Sequence, residues 1–268
     1  MLSSIRDLAD RLLRLPELRP YQGTGFDSPQ ATAAQRRLFE TKKILPVLYQ
    51  EYCRPAIESA GRAPQGARMV EIGSGTSPLK EGLPGLVCTD LVSLPWLDLV
   101  CSAYALPFAD QSLDRLFLMF VCHHLGRIKD FLDEARRCLK PGGEMVIVDP
   151  AITRFSRFYY QHLHVDQMDL KTEEWGFEGQ GRLSDSNVAL TWLVFVRDRE
   201  RFLREYPEFE MGPVEYNTCL TFLLAGGMRI RQLLPTAVLK GLFKLENWLI
   251  RRLSRQLAVT MALTLRRV

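Results

Sequence analysis

The sequence predicts an α/β fold built on a mostly parallel sheet, from the texture of its middle third and from the order of its segments. Between residues 67 and 149 it divides into short apolar runs, ARMVEIG, GLVCTD, LDLVCS, DRLFLMFV and GEMVIVD, separated by glycine, proline and charge. Strands covered by helices on both faces read as such runs, because neither face meets water. A helical segment, Phe131 to Leu139, precedes the last run, as an alternation of strand and helix requires. At 268 residues, 47% hydrophobic and 25% charged, the chain is an ordinary globular sequence, long enough for one α/β domain with an insertion.

At the N-terminus, Ile5, Leu8, Leu12, Leu13 and Leu15 recur at helical spacing and stop at Pro16, so Ser3 to Leu15 is expected as a short amphipathic helix. A Pro/Gly-rich loop follows through Pro29, then helix from Ala31 to Ala60 with breaks near Pro46 and Pro55. Gly61 to Gly66 is a linker of turn-formers, which divides an N-terminal helical cap, 1–66, from the main domain, 67–268. The first two strands are only about a dozen residues apart, so the helix between them has a turn or two at most. Beyond Pro150 the chain turns aromatic and polar through Pro207, an insertion at about 151–207 expected to lie over the site as a lid. A strand Phe209 to Glu215, a helix near Thr218 to Ala225, a basic helix Thr236 to Leu253 and a last strand Ala258 to Leu265 complete the order.

Composition narrows the function classes. The six cysteines are scattered with no CxxC pair, which suits free thiols of a reducing compartment. The N-terminus has neither a signal-peptide apolar block nor a cleavage site, and no run approaches the ~20 apolar residues of a membrane span, so a cytoplasmic protein is expected. A net charge of +4 is too mild for nucleic acid. The last forty residues nevertheless carry nine Lys or Arg against Glu246 alone. In the segment 236–255 these alternate with apolar residues, which suits either packing on the domain or peripheral contact with an anionic inner membrane face.

The segment Val70-Glu71-Ile72-Gly73-Ser74-Gly75 ends a strand in an acid and then two glycines, where the backbone can turn tightly and approach a ligand. Alone, such a glycine turn is common in proteins without ligands. Asp90 ends the next strand about fifteen residues on, where a carboxylate can accept both hydroxyls of a ribose, whether of a dinucleotide or of an adenosyl group.

The sequence resembles the class I S-adenosylmethionine-dependent methyltransferases, in the branch of the methyltransferase type 11 kind. That branch reads E-I-G-S-G, an acid after the second strand, D-A-x-x-L-P-F, H-H after the fourth strand, and E-A-x-R-x-L-K-P-G-G before the fifth. This chain has Glu71 to Gly75, Asp90, Ala103-Tyr104-Ala105-Leu106-Pro107-Phe108, His123-His124, and Glu134 to Gly143. The resemblance covers residues 68–150 and implies a Rossmann-like, seven-stranded, mostly parallel sheet whose C-terminal strand lies between the fifth and sixth. It implies S-adenosyl-L-methionine as cofactor. Glu71 would lie near the methionine amino group, Gly73, Ser74 and Gly75 along its channel, Asp90 with Leu91 at the ribose, and Val121 at the carboxypropyl arm. Two positions depart from the family. Ser77 stands at a customary third glycine, and Ser102 stands where an aspartate holds the adenine amine, which leaves adenine to Ser102, Ala103 and Tyr104.

His123 and His124, after the fourth strand, are candidates for general base or acceptor orientation, or for simple caps of the strand. His162, His164 and Asp166 form an H-x-H-x-D run that suits a surface role better than a metal, and no metal is expected. Tyr159, Tyr160, Trp175 and Phe177 suit an acceptor pocket or plain packing, and Asp149 a helix cap. The segment Arg197 to Phe202 also resembles enzymes found beside glycan-building proteins. The expected function is transfer of a methyl group, at oxygen, to a small molecule or a glycan or lipid-linked intermediate. The alternatives are a non-catalytic cofactor- or partner-binding protein and an NAD-type oxidoreductase.

Overall fold

The computed structural model describes residues 15–21, 25, 27–162, 167–179, 181–228 and 230–268. The helix expected over Ser3 to Leu15 therefore falls outside the described residues except for Leu15, as do His164 and Asp166.

The core is a sheet of eight strands: β1 Met69–Ile72, β2 Val87–Asp90, β3 Leu99–Val100, β4 Leu113–Met119, β5 Leu139–Pro150, β6 Phe209–Met211, β7 Glu215–Asn217 and β8 Thr260–Arg267. They lie in the order β3-β2-β1-β4-β5-β8-β6, and β7 also pairs with β8. Strands β1 to β5 are parallel, whereas β8 runs antiparallel to β5, β6 and β7. The C-terminal strand is thus inserted where the resemblance implied. The strand expected over Phe209 to Glu215 is two strands, because the Gly212-Pro213 step interrupts the ladder and Pro213 has no N–H to donate. Strand order reverses at β1, between β2 on one side and β4 on the other, and a crevice opens beyond the carboxyl ends of strands at such a point.

All seven residues of β4 are buried, including two charged ones. Asp114 accepts from Arg68 N at 2.9 Å and Lys140 Nζ at 2.8 Å, and Arg115 Nε donates to Ser59 O at 3.0 Å, so neither charge is buried unpaired.

Helices cover both faces. On one lie α1, Pro29–Thr41, capped by Ser28 Oγ, and α2, Leu45–Gly61. A break does occur before Pro46, which sits in the first turn of α2 where no N–H is required. None occurs at Pro55, which is buried inside α2. Leu48 and Tyr52 of α2 share a core with Val146, Val148 and Ala262 of the sheet. Between β1 and β2 there is only a 3-10 turn, Leu79–Glu81, as the short spacing predicts.

On the other face α3, Ile128–Cys138, buries Ile128, Phe131, Leu132, Ala135 and Cys138, one stripe at helical spacing. Further on are α4, Arg154–His162, then a turn Leu190–Trp192 that continues through a π-helical stretch, Leu193–Arg197, to α5, Arg199–Glu205. Leu190, Val194, Phe195 and Phe202 are fully buried in the main core, so the later part of the 151–207 segment packs as core rather than as a cover. The Phe195 and Phe202 rings meet edge to face at 4.9 Å, and truncating either to Ala would cost roughly 3–5 kcal/mol.

Helices α6, Leu220–Ala225, and α7, Thr236–Arg252, precede β8. Leu239 and Phe243 of α7 pack beside α2, yet Val238, Leu245 and Trp248 face out, so only part of its apolar pattern is core. No helix among the described residues is long and apolar enough to cross a membrane. All six cysteines are free, and five are buried.

Because β8 is the common partner of β5, β6 and β7, a chain ending at residue 257 should lose cooperative thermal unfolding. Circular dichroism melts test this, and a truncation that melts like the full chain would contradict the topology.

Candidate active site

The carboxyl ends of β1, β2 and β4 open into a cavity of about 260 Å³. Its floor is the turn after β1. Gly73 has φ +64° there, and a Cβ on it would lie 2.7 Å from Val121 Cγ2, so the turn can pass under Val121 only without a side chain. Ser74 ties the turn to β2: its N–H donates to Thr89 O at 2.8 Å and its Oγ accepts from Thr89 N at 3.2 Å. Ser77, at the customary third-glycine position, also takes a left-handed conformation, φ +55°, and its hydroxyl meets Cys88 Sγ at 3.2 Å. The serine therefore keeps the glycine-like backbone, at about 1–2 kcal/mol of local strain.

Two carboxylates face this cavity. Glu71 is fully buried, and its Oε1 has no hydrogen-bond partner among the described residues. Desolvation pushes its carboxyl up to about 7, with the Asp90 charge adding to the shift and hydrogen bonds from Ser74 and Cys88 opposing it. A buried acceptor without a partner fits an ammonium group, such as that of an amino-acid-bearing ligand. Asp90 ends β2 with both oxygens engaged: Oδ1 accepts from Leu91 N at 2.7 Å and Oδ2 from Gly75 N at 3.0 Å. Arg182 Nη1 lies 3.0 and 3.1 Å from the same two oxygens. A carboxylate has about four lone-pair sites, and all are taken. A diol binding Asp90 must therefore use the two positions that Arg182 holds.

Arg182 anchors a roof over the cavity. Its Nη2 donates to Thr32 Oγ1 of α1 at 2.7 Å, and Asp27 Oδ1 accepts from Leu183 N at 2.5 Å and Ser184 N at 3.0 Å. Residues 181–183 and α1 thus meet across the site, with Phe177, Thr32, Gln35 and Met228 also lining it. Nothing in the sequence marks these residues, since the pairing joins positions 92 apart.

At the end where the resemblance implies adenine, Ser102, Ala103 and Tyr104 line the cavity with Leu91 and Cys101. The Ser102 hydroxyl is already used within its own turn, accepting from Tyr104 N at 3.2 Å, and the Tyr104 ring lies 4.3 Å beneath the Arg127 guanidinium.

The histidine pair divides. His124 lines the cavity, whereas His123 is buried behind it, the two rings 4.1 Å apart. His123 Nδ1 lies 2.6 Å from Asp149 Oδ1, and its backbone N–H donates to Asp149 Oδ2 at 2.9 Å. Thr191 Oγ1 donates to the same Oδ2. Asp149 thus holds the turn after β4 instead of capping a helix. At His124, Nδ1 is 2.9 Å from Asp185 O, a carbonyl that can only accept, so Nδ1 bears the proton and the neutral ring has its lone pair on Nε2.

Glu71, Gly73, Ser74, Gly75, Asp90, Leu91, Ser102, Ala103, Tyr104, Val121 and His124 all line the one cavity, and of the site residues expected from sequence only His123 does not. Of the aromatic segment, Phe177 reaches it, while Tyr159, Tyr160 and Trp175 pack elsewhere. Among the described residues no group of His, Cys, Asp and Glu could hold a metal.

Asp149→Ala would leave the buried ring and backbone N–H of His123 and the Thr191 hydroxyl without their acceptor, an expected loss of roughly 3–5 kcal/mol. Urea denaturation measures this, and a loss under about 1 kcal/mol would mean that Asp149 does not hold the turn.

Residues 80–147 match the family model described as a methyltransferase domain. The ubiquinone/menaquinone biosynthesis C-methyltransferase UbiE of Paracoccus denitrificans is 30% identical over 114 residues, 40% of this chain and 38% of that protein. The enzyme of the same name from Cereibacter sphaeroides strain ATCC 17029 is 35% identical over 123 residues, 44% of this chain and 41% of that protein. The chain thus spans about two fifths of the length of these relatives. Among solved structures, a SAM-dependent methyltransferase from Archaeoglobus fulgidus aligns with TM-score 0.48 at 16% identity, over 83% of this chain and 94% of that one. The matched region runs from the turn before Asp90, past the histidine pair and into β5, over strands that wall the cavity, and in that region the chain is similar to the methyltransferase domain family and to these C-methyltransferases.

Proposed function

We propose that the protein transfers a methyl group from S-adenosyl-L-methionine to a small aromatic alcohol or quinol, at a ring carbon activated by a neighbouring hydroxyl. The observation that carries the reading is His124, its tautomer set by Asp185 O, in one cavity with Glu71 and Asp90. The relatives named above are C-methyltransferases, which favours carbon over the oxygen expected from sequence, and a small ring suits a cavity lined by Phe177, Met228, Met119 and Val121 better than a glycan does.

When bound, the cofactor supplies a methyl group on a sulfonium, whose carbon is attacked in line while the sulfur leaves as a thioether. Glu71 would hold the ammonium of its amino-acid arm and Asp90 the ribose diol, with the Gly73–Gly75 turn beneath and Ser102 to Tyr104 at the adenine. His124 Nε2 takes the hydroxyl proton of the acceptor, which raises electron density on the ring carbon ortho or para to that oxygen. Once the new C–C bond has formed, loss of the ring C–H proton restores aromaticity, so the turnover releases one proton overall. The same base would serve an oxygen acceptor. The unproductive reading, a binding protein without turnover, would show as cofactor affinity with no methylated product from any phenol or quinol offered.

Calorimetric titration with S-adenosylmethionine and S-adenosylhomocysteine, with NADH as control, tests the site. Saturable binding of the first two alone is expected, and Asp90→Ala should weaken it by about 1.5–3 kcal/mol for the lost charge-assisted bonds. Glu71 is protonated below about 7 in the free protein, and the ligand's ammonium favours its anion. Affinity should therefore rise with pH through about 6 to 7.5, with proton release on binding, and fall above about 8 as the ligand's own α-amino group loses its proton. Affinity flat across that range, or NADH binding at Asp90, would refute the assignment. For the base, with cofactor saturating at every pH, His124→Ala should lower kcat by roughly 10²–10⁴ and remove the acidic limb of the pH–kcat profile while cofactor affinity holds. A retained acidic limb would remove His124 from proton transfer.

A further inference from the structure

The outward side of α7 is not an ordinary solvated face. Val238, Leu245 and Trp248 are 52%, 54% and 55% exposed, and Leu253 just beyond the helix is 71% exposed. At 100° per residue, Val238, Leu242, Leu245, Trp248 and Leu249 fall in one sector, opposite the buried sector of Leu239, Phe243, Glu246 and Ile250. Beside the exposed apolar sector runs a cationic band, Lys240, Lys244 and Arg251.

The charge that this segment itself carries has one sign, although Glu51 and Glu215 of neighbouring elements lie beside Arg251 and Arg255. Between residues 218 and 265 the only carboxylate is Glu246, and it is buried, accepting from Cys219 N and Thr221 N, each at 2.9 Å, at the start of α6. Arg251 is held by Glu51 at 2.6 Å. Lys240, Lys244, Arg252 and Arg255 have no carboxylate partner among the described residues, although the Arg255 guanidinium lies 5.8 Å from the Tyr216 ring. The patch continues onto α4, where Arg154 N donates to Gln256 Oε1 at 3.2 Å. Phe158 and Arg157 of the same helix, and Leu257 beside Gln256, are exposed as well. At the other end, the α6–α7 connection supplies Met228 to the cavity and exposes Leu233.

We propose that this face, α7 with Leu253, Leu257 and Phe158, docks on an anionic lipid surface, with Trp248 and Leu245 immersed at the headgroup boundary and Lys240, Lys244, Arg252 and Arg255 on the phosphates. Charge complementarity selects the occupant. A second copy would set these cations against themselves across a two-fold axis, and a neutral protein groove would leave them unpaired. A bilayer takes a helix lying in its plane with Trp at the interface and basic residues beside it. The proposal does not depend on methyl transfer.

The full chain, mixed with vesicles of equal parts phosphatidylglycerol and phosphatidylcholine or of phosphatidylcholine alone, is sedimented and the bound fraction measured. Binding only to the anionic vesicles is expected. Lys240→Glu with Lys244→Glu should weaken it roughly 25-fold or more, since each basic residue near such a surface is worth about a factor of five. Leu245→Ser with Trp248→Ser should weaken it about tenfold or more through lost apolar immersion. All four positions are solvent-facing, so both double variants should keep the wild-type circular dichroism and cofactor affinity, which separates failure of this face from failure of the cavity. Binding that ignores phosphatidylglycerol, or that either double variant leaves unchanged, overturns the proposal. So does a concentration-dependent dimer, seen by analytical ultracentrifugation without lipid, that Leu245→Ser with Trp248→Ser abolishes, because a second copy is then the occupant.

Discussion

Asp149 is fully buried at the end of β5, and its carboxylate joins three segments that have no covalent reason to meet. It receives the backbone and ring of His123 from the turn after β4, and the hydroxyl of Thr191 from the helical stretch that fills the core beyond α3. A buried carboxylate is tolerated only with its lone pairs satisfied, so the three donors and the anion fix one another. The position of His124 follows, because it is the next residue in that turn. One interaction behind the cavity therefore determines what faces into it.

In front of the cavity the constraint is one of acceptor sites. Asp90 is saturated by two backbone N–H groups and by Arg182, and the pair is nearly enclosed, at 3% and 10% side-chain exposure. The backbone donors belong to the sheet and its turn and cannot leave without unmaking them. Arg182 belongs to the roof, where Thr32 and Asp27 O supply alternative partners at 2.7 and 3.4 Å. The carboxylate thus has a permanent pair of donors and an exchangeable one. The exchangeable pair points where a ribose would bind, and its loss would leave Arg182 with partners still in reach.

What could be read beforehand was what local chemistry writes. The Gly73–Gly75 turn, Asp90 at a strand end and the single turn between β1 and β2 follow from short-range sequence, whereas the place of the C-terminal strand beside β5 came only from the family resemblance. The reading was incomplete where partners are distant or where context overrides a residue's habit. Arg182 and Asp27 carry no local mark, since their roles depend on pairing across the fold. Pro55 reads as a helix breaker but lies buried within α2, and Ser77 keeps a left-handed backbone that its side chain disfavours. Asp149 before Pro150 has the form of a cap, and only the fold shows the imidazole that takes the carboxylate.

Helix α7 shows a different limit. Its 17 residues carry apolar side chains around more than half of the circumference, and periodicity alone registers that as strength of amphipathicity without saying which sector meets the core. The structure resolves the ambiguity through Glu246 and Asn247. Each must reach a backbone N–H near the start of α6, Asn247 Oδ1 accepting from Thr218 N at 2.9 Å, and these polar anchors turn Leu239, Phe243 and Ile250 inward. Once that rotation is set, Val238, Leu245 and Trp248 have only the outside left. The exposed apolar sector is therefore a consequence of how the helix is pinned. Retaining Trp and Leu there, beside Lys240, Lys244 and Arg252, which have no carboxylate partner among the described residues, is a separate feature of the sequence for which the interior of this fold gives no reason.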